Sequence, residues 1–169
     1  MPRISNIKIS AKIELTCLDT ASIKLSNNGI AIKLFCNYIT FFSKFTYIIF
    51  KGSKNQTSHV NITRLKNDKE IEQSLEHLNK ILGCQILNFK VDNIIATDDF
   101  YQHLNLKEIA QRKIFEKVKY NSEQFPGLFI KFNTGTVILF HSGKIVIVGC
   151  KTQQEVWKLS DLVITALQA

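Results

Sequence analysis

The strongest constraint on the fold of this 169-residue chain is an internal repeat. Tyr47–Lys54 reads YIIFKGSK and Val137–Lys144 reads VILFHSGK, so each is an apolar run that ends in a polar turn with glycine and lysine. Two further pairs match in the same order and at nearly the same separation: Ile4–Ile7 with Val91–Ile94, and Lys66–Ile71 with Lys151–Val156. Such self-similarity indicates a duplicated structural unit. The sequence therefore predicts two similar halves, residues 1–84 and 85–169.

Each half is predicted to open with a strand that carries an asparagine and to close with an amphipathic helix. The closing helices are predicted over residues 68–82 and 153–167, where apolar residues recur on one face. Asp68 and Thr152 are candidate N-caps or first-turn residues, and Gly83 is a candidate stop. Residues 105–119 show the same periodicity and are predicted to form a further helix.

The second half contains a hairpin that is apolar at nearly every position. Its strands are Thr136–Phe140 and Ile145–Val148, around the turn His141–Lys144. Fully apolar strands need cover on both faces, but the chain has too few amphipathic helices to cover both. We therefore expect one face to be left open and apolar, which marks a binding surface for DNA or for another protein, including a second copy of the chain.

The composition favours an acidic partner. The formal net charge is +8 at pH 7, typical of proteins that bind nucleic acid or an anionic membrane. Only Arg3, Arg64 and Arg112 are arginine, and arginine is the usual reader of guanine in the major groove. The composition therefore disfavours a major-groove reader of GC-rich sites. Its richness in lysine, asparagine and isoleucine is equally consistent with an AT-rich genome.

Neither a metal centre nor a catalytic site is indicated. The four cysteines form no C-x-x-C pair, whereas structural zinc needs closely spaced ligands. The four histidines are scattered, and Asp98–Asp99 is expected to form a turn after a strand. Ser142–Lys144 lacks the earlier glycine and the following Ser or Thr of a phosphate-binding loop. We therefore expect a protein that is not an enzyme and that has no metal or cofactor.

The chain is expected to lie inside the cell. No long apolar run follows Met1, so a signal peptide is not indicated. No apolar stretch reaches the length needed to cross a bilayer, so no membrane association is expected. An intracellular location implies reduced thiols.

Three segments resemble the TATA-box-binding protein family. Glu123–Lys131 (EQFPGLFIK) resembles the family's ELFPGLIYR, and Val137–Lys151 (VILFHSGKIVIVGCK) resembles its IFxSGKIVxTGAK. Upstream, Asn88–Ile95 (NFKVDNII) resembles its DFKIQNIV. The segments occur in the family's order and close to its spacing. The first half has the matching length and repeat order, so the resemblance covers nearly the whole chain.

The resemblance implies an α+β fold in which two pseudo-symmetric repeats form a saddle-shaped, curved antiparallel β-sheet with helices on the convex face. The concave face of such a saddle lies on the DNA minor groove, where A·T pairs present acceptors and no amino group. Phenylalanines wedge between base steps and kink the duplex by roughly 80°. This implication agrees with the open apolar face predicted above.

The resemblance also implies roles for individual residues. Phe125 and Phe140 match the kinking pair of the second repeat, and Phe50 matches one wedge of the first. The implied base-edge and apolar-floor contacts are Asn6, Asn93, Ile95, Ile138, Val146 and Val148, with Ile48 and Thr63 in comparable places of the first repeat. The implied phosphate contacts are Lys131, Lys144 and Lys151, together with Lys33 and Lys66. Ordinary alternatives exist: the phenylalanines as core residues, Asn93 as a turn cap and the lysines as solvated surface.

The first repeat departs from the family pattern. Asn27 falls where its other wedge is expected, with Phe35, Phe41 and Phe42 as candidate replacements. Lys8 takes the place of an apolar floor residue, and in the second repeat Val148 takes the place of a threonine. A long loop is expected around residues 35–45.

The resemblance implies a transcription initiation factor that binds and bends AT-rich promoter DNA and nucleates a polymerase preinitiation complex. General transcription factors or RNA polymerase subunits are the implied protein partners. The implied location is the nucleus, or a cytoplasmic virus factory if the source is a virus. Two alternatives stay open: an adaptor that kept the saddle but lost DNA binding, and a homodimer through the concave face when DNA is absent.

Overall fold

The computed structural model describes residues 1–15, 17–52 and 56–169. Within these residues the chain forms ten strands and four helices. The strands are β1 Arg3–Glu14, β2 Ile32–Leu34, β3 Tyr38–Ser43, β4 Phe45–Phe50, β5 Thr57–Leu65, β6 Ile86–Asp99, β7 Val118–Lys119, β8 Leu128–Lys131, β9 Thr136–Leu139 and β10 Lys144–Cys150. The helices are α1 Leu18–Asn27, α2 Asp68–Leu82, α3 Leu106–Gln111 and α4 Gln153–Gln168. None of these helices is long and apolar enough to cross a membrane.

The chain divides into two compact units. The N-terminal unit is Asn6–Asp92, and the C-terminal unit is Asn93–Ala169 together with Met1–Ser5. The strand order is β2-β3-β4-β5-β1 in the N-terminal unit and β6-β10-β9-β8-β7 in the C-terminal unit. The described ladders are antiparallel. The unit boundaries fall inside β1 and β6, whereas the predicted repeats divide between α2 and β6.

In the N-terminal unit, one face of the strands packs under helices. Tyr47 and Ile49 of β4 and Ile62 of β5 are fully buried. The Tyr47 hydroxyl donates a hydrogen bond of 3.1 Å to the backbone oxygen of Ser74 in α2. Because strand side chains alternate between faces, the residues between these positions point away from the helix.

In the C-terminal unit, α4 covers the equivalent face. Ile145 and Ile147 of β10 are fully buried, as is Val156 of α4, and α4 contacts β10 directly. The helix begins at a capping box, in which Thr152 accepts from the Glu155 backbone and the Glu155 carboxylate accepts from the Thr152 backbone. Such a box satisfies orphan donors of the first turn.

The closing helices are confirmed as α2 and α4. Asn67 is the N-cap of α2 and Asp68 is its first residue, and Gly83 ends it with a φ of 60°. The prediction of a helix over residues 105–119 is wrong beyond Gln111. The chain turns after Arg112, with a φ of 52° at Lys113, and Phe115 packs edge-on against Phe132. The periodicity therefore reflects tertiary packing rather than a continuous helix.

Two further expectations need correction. Residues 35–45 do not form a long loop, because β3 occupies most of this segment and a tight turn at Lys44, with a φ of 61°, joins it to β4. Asp98 and Asp99 do not form a turn but end strand β6. The Asp98 carboxylate is buried and accepts a hydrogen bond of 2.6 Å from the buried Ser160 hydroxyl in α4. Strand pairing explains both outcomes.

Candidate nucleic-acid interface

The C-terminal unit carries a sheet face that no helix of the unit covers. Along β9 and β10, the buried residues alternate with half-exposed ones. The half-exposed side chains are mostly apolar and define the C-terminal open face: Ile95, Thr97, Phe129, Thr136, Ile138, Val146 and Val148. The hairpin predicted from the sequence is therefore present, and its strands are covered on one side only.

Strand register aligns this face into cross-strand rows. Val146 pairs with Ile138 on one side and Thr97 on the other, and Ile138 pairs with Phe129. Val148 pairs with Thr136 in the next row. Directly opposed β-branched and aromatic side chains form a continuous surface. This surface is the apolar floor of the C-terminal open face. Its row from Phe129 to Thr97 contains no charged side chain.

Three phenylalanines form a cluster at the end of this floor. The Phe125 ring lies 5.1 Å from Phe129 and 6.0 Å from Phe140, measured between ring centroids. Phe125 is 39% exposed, a large fraction for an aromatic residue in a packed cluster. Gly127 makes room for this arrangement, since a Cβ there would lie 2.7 Å from both Phe125 and Ile138. The structure thus presents Phe125 and Phe140 at the surface rather than in the core.

The two asparagines of the opening strands hold equivalent backbone bulges. Asn93 Oδ1 accepts a hydrogen bond of 2.6 Å from the backbone of Gly149, which has a φ of 89°. Asn6 Oδ1 accepts one of 2.7 Å from the backbone of Arg64, which has a φ of 71°. Each bulge coincides with a register shift in its ladder. Because the carbonyl end of each amide is engaged in this way, the amide Nδ2 group remains as the donor that the side chain can offer to a ligand.

The N-terminal unit also has an uncovered sheet face, but its chemistry differs. One row across the strands is Thr40, Ile48, Asn61 and Ser10 in register. The next row pairs Thr46 with Thr63, and Lys8 is half-exposed on β1. These residues define the N-terminal open face: Lys8, Ser10, Thr40, Thr46, Ile48, Asn61 and Thr63. Ile48 is its one aliphatic member.

An aromatic cluster lies beside this face as well. The rings of Phe35 and Tyr38 stack with centroids 4.5 Å apart, and Phe50 lies 6.3 Å from Tyr38. Phe35 is 44% exposed and Phe50 is 36% exposed. Asn27, where the other wedge was expected, ends helix α1 instead and does not belong to the sheet. Strand β2 begins five residues after Asn27, at Ile32.

The other two candidate replacements differ from Phe35. Phe41 is buried and stacks on Tyr47 at 4.6 Å, so it belongs to the core. Phe42 is 59% exposed, with the Arg64 guanidinium 5.2 Å from its ring. Phe35 is the candidate whose ring joins the cluster that contains Phe50.

The basic residues singled out from the sequence lie at the surface. Lys131, Lys144 and Lys151 are exposed in the C-terminal unit. Lys33 and Lys66 are exposed in the N-terminal unit. Exposed lysines at the ends of strands are suited to phosphate contacts.

The described residues contain no group of three or more potential metal ligands. Burial raises the pKa of the Cys150 thiol to about 11, with a smaller contribution from Glu155. A thiol of this kind is protonated at neutral pH and a poor nucleophile.

Sequence reasoning missed three residues of these surfaces: Phe129, Asn61 and Tyr38. Alternation could have found the first two. Phe129 lies between the buried Leu128 and Ile130, and Asn61 lies two residues before Thr63 on the same strand. Tyr38 carried no such signal, since it pairs with Phe50 only through the β3–β4 register.

These observations define the class of protein: an α+β chain of two units, each with one sheet face under helices and one uncovered face beside an aromatic cluster. A solved structure described as Methanococcus jannaschii TBP matches with a TM-score of 0.79 and 24% identity over 99% of this chain and 98% of that chain. This likeness shows the fold and confirms the α+β antiparallel class that the sequence predicted.

Sequence comparison identifies the family. A family model described as Transcription factor TFIID (or TATA-binding protein, TBP) matches residues 88–169. The TATA-box-binding protein of Methanocaldococcus jannaschii is 30% identical over 164 residues, covering 90% of this chain and 86% of that protein. That of Thermoplasma volcanium is 33% identical over 121 residues, and the match spans 63% of its length. The chain belongs to the TATA-binding protein family.

Proposed function

We propose that this protein is a transcription initiation factor that binds AT-rich promoter DNA through the minor groove and bends it. Bound there, it nucleates assembly of a polymerase preinitiation complex with general transcription factors or polymerase subunits. The observation that carries this proposal is the C-terminal open face, an uncharged and mostly apolar floor with exposed Phe125 and half-exposed Phe140 at one end and exposed lysines around it.

The floor suits the minor groove of A·T pairs. These pairs present only acceptors there, whereas a G·C pair adds the amino group of guanine. Ile138 and Val146 offer no acceptor, so a G·C pair pressed against them would bury an unsatisfied donor. An apolar floor therefore favours A·T pairs because it disfavours G·C pairs.

The exposed rings suit DNA bending. Apolar side chains of minor-groove proteins insert between base steps, unstack them and kink the duplex. Phe125 and Phe140 lie at the edge of the floor with rings 6.0 Å apart and accessible to a partner. Lys131 and Lys144 supply positive charge on the same unit. Phe50 and Phe35 are the corresponding rings of the N-terminal unit.

The test is the bending of a doubly labelled AT-rich duplex, followed by energy transfer between its ends. The wild-type chain is expected to shorten the end-to-end distance, and the Phe125→Ala, Phe140→Ala double variant is expected to leave the duplex straight. Trp157→Ala is a matched control, because Trp157 lies on α4 and is 38% exposed, nearly the same as Phe125. It should bend DNA like the wild type.

Two results would contradict the proposal. Equal, weak and unbent binding to AT-rich and GC-rich duplexes would favour the adaptor alternative. A homodimer that persists and leaves the AT-rich duplex unbound when the duplex is added in excess, detected by sedimentation, would favour self-association over DNA binding.

A further inference from the structure

The two open faces differ in hydrogen-bonding capacity at equivalent positions. Val146 of β10 and Asn61 of β5 each lie two residues before the outward residue next to the bulge, Val148 and Thr63 respectively. Val146 lies between Ile138 and Thr97, and Asn61 lies between Ile48 and Ser10, so the flanking residues are similar in the two units. An amide therefore stands in the N-terminal unit where an aliphatic side chain stands in the C-terminal unit.

Asn61 belongs to a row of hydrogen-bonded polar side chains within the N-terminal unit. The Ser10 hydroxyl lies 3.3 Å from Asn61 Oδ1 and makes a shorter hydrogen bond to the Asp92 carboxylate. Lys8 and Lys90 lie 3.8 Å and 4.0 Å from that carboxylate and balance its charge. The face thus tolerates an acidic group without becoming repulsive to a polyanion.

The number of protons that Ser10 can donate to Asn61 and Asp92 determines which end of the Asn61 amide faces outward. A serine hydroxyl carries one proton, and the closer Asp92 carboxylate takes it. The Asn61 Oδ1 that faces Ser10 at 3.3 Å then has no proton to accept. Turning the amide by 180° brings Nδ2 to the Ser10 oxygen as a donor. In that arrangement one Nδ2 proton is donated to Ser10, and the carbonyl oxygen of Asn61 points into the open face.

We infer that Asn61 enables the N-terminal open face to recognise a G·C base pair, an inference that rests on the minor-groove function proposed above. The outward carbonyl accepts a hydrogen bond from the guanine amino group, the one donor that the minor groove displays. The C-terminal open face has no such acceptor at Val146. The preferred site is therefore asymmetric, with A·T pairs under the C-terminal unit and a G·C pair accepted under the N-terminal unit.

The experiment measures binding of the full chain to three duplexes by fluorescence anisotropy. The first duplex contains only A·T pairs, and the second has a single G·C pair in one half. The third has that G·C pair and a second one at the mirrored position of the other half. The position is chosen by replacing each A·T pair of one half in turn. Because the chain can bind in either direction, it can place its N-terminal unit on the half with the single G·C pair.

The wild type is expected to bind the single-G·C duplex at least as tightly as the all-A·T duplex. It should bind the double-G·C duplex about tenfold more weakly, as expected for one unsatisfied donor. Asn61→Val should lower the affinity for the single-G·C duplex about tenfold relative to the affinity for all-A·T DNA. Val146→Asn should restore binding to the double-G·C duplex.

Asn61→Asp is a second variant that keeps an outward acceptor, and it should keep the tolerance of the single G·C pair. Circular dichroism and urea unfolding of each variant show whether it is folded. Equal losses on both substituted duplexes in the wild type, with tight binding to all-A·T DNA, would overturn this inference alone. Failure of the wild type to bind any of the three duplexes would overturn the minor-groove function and this inference with it.

Discussion

A methyl group added at Gly127 tests directly whether the position of the Phe125 ring controls DNA bending. An ideal Cβ at Gly127 lies 2.7 Å from Cε1 of Phe125 and 2.7 Å from Cγ2 of Ile138. Both atoms belong to side chains, so the contact is relieved by moving the ring and the methyl group. Gly127 is not in the left-handed region, so alanine brings no backbone strain of that kind.

The size of the effect follows from the space around the ring. Ordinary van der Waals contact begins at 3.4 Å, so the Phe125 ring must retreat until the separation grows from 2.7 Å to at least that value. Extra methyl groups in packed sites cost about 1–3 kcal/mol. We expect about 1 kcal/mol, the lower end of that range, because Phe125 is 39% exposed and can move toward solvent.

Two assays separate stability from function for Gly127→Ala. In urea unfolding the midpoint should fall while the m-value stays unchanged, which reports a stability change without a change in compactness. In the energy-transfer assay the bend should be reduced toward that of Phe125→Ala, while salt-dependent binding persists. A variant that loses the expected stability yet bends DNA as strongly as the wild type would refute the link between ring position and kinking.

Three further outcomes are expected. Ser160→Ala should lower the free energy of unfolding by about 2 kcal/mol, because buried Asp98 loses a charge-assisted hydrogen bond; an unchanged urea midpoint would contradict this. Lys131→Ala should reduce the slope of log affinity against log salt by about 0.9, as expected for one lost phosphate contact; titrations at several salt concentrations measure it, and an unchanged slope would place this lysine off the backbone. Cys150, whose pKa burial raises to about 11, should react with iodoacetamide at pH 8 far more slowly than exposed Cys17, whose pKa is lowered by its hydrogen bonds with Thr20; peptide mass spectrometry compares the two, and equal rates would refute the burial argument.

Much of the fold could be predicted from the sequence because the repeated segments carry strong local signals. The helices α2 and α4 have a clear apolar period with caps at Asn67 and Thr152. The β9–β10 hairpin has a glycine in its turn and β-branched strands. In each of these cases local preference and tertiary packing agree, so periodicity alone places the element correctly.

The errors occur where tertiary packing overrides the local pattern. Residues 112–117 keep an apolar period, but the positive φ of Lys113 and the buried Phe115 turn the chain away from a helix. Asn27 matches a wedge position only by its place along the chain, and in the structure it is the last residue of helix α1, outside the sheet. Asp98 looked like a turn residue because its buried partner, Ser160, is 62 positions away in sequence.

The site was predicted unevenly for the same reason. Ile138 and Val146 alternate with buried residues, so period-two counting places them on the uncovered face without knowledge of the fold. The aromatic cluster of the N-terminal unit could not be found in this way. Phe35 lies outside a strand, and it reaches Phe50 only through Tyr38 and the β3–β4 register.

Comparison of the two units separates what packing requires from what a ligand requires. Under the helices both units keep large apolar side chains, with Tyr47 and Ile49 in one and Ile145 and Ile147 in the other, because any polar group there would need a buried partner. The bulges keep their geometry even though arginine occupies one and glycine the other. The open faces, however, have become chemically different. Helix packing does not constrain side chains on an uncovered face, so packing alone does not account for the difference between the two open faces.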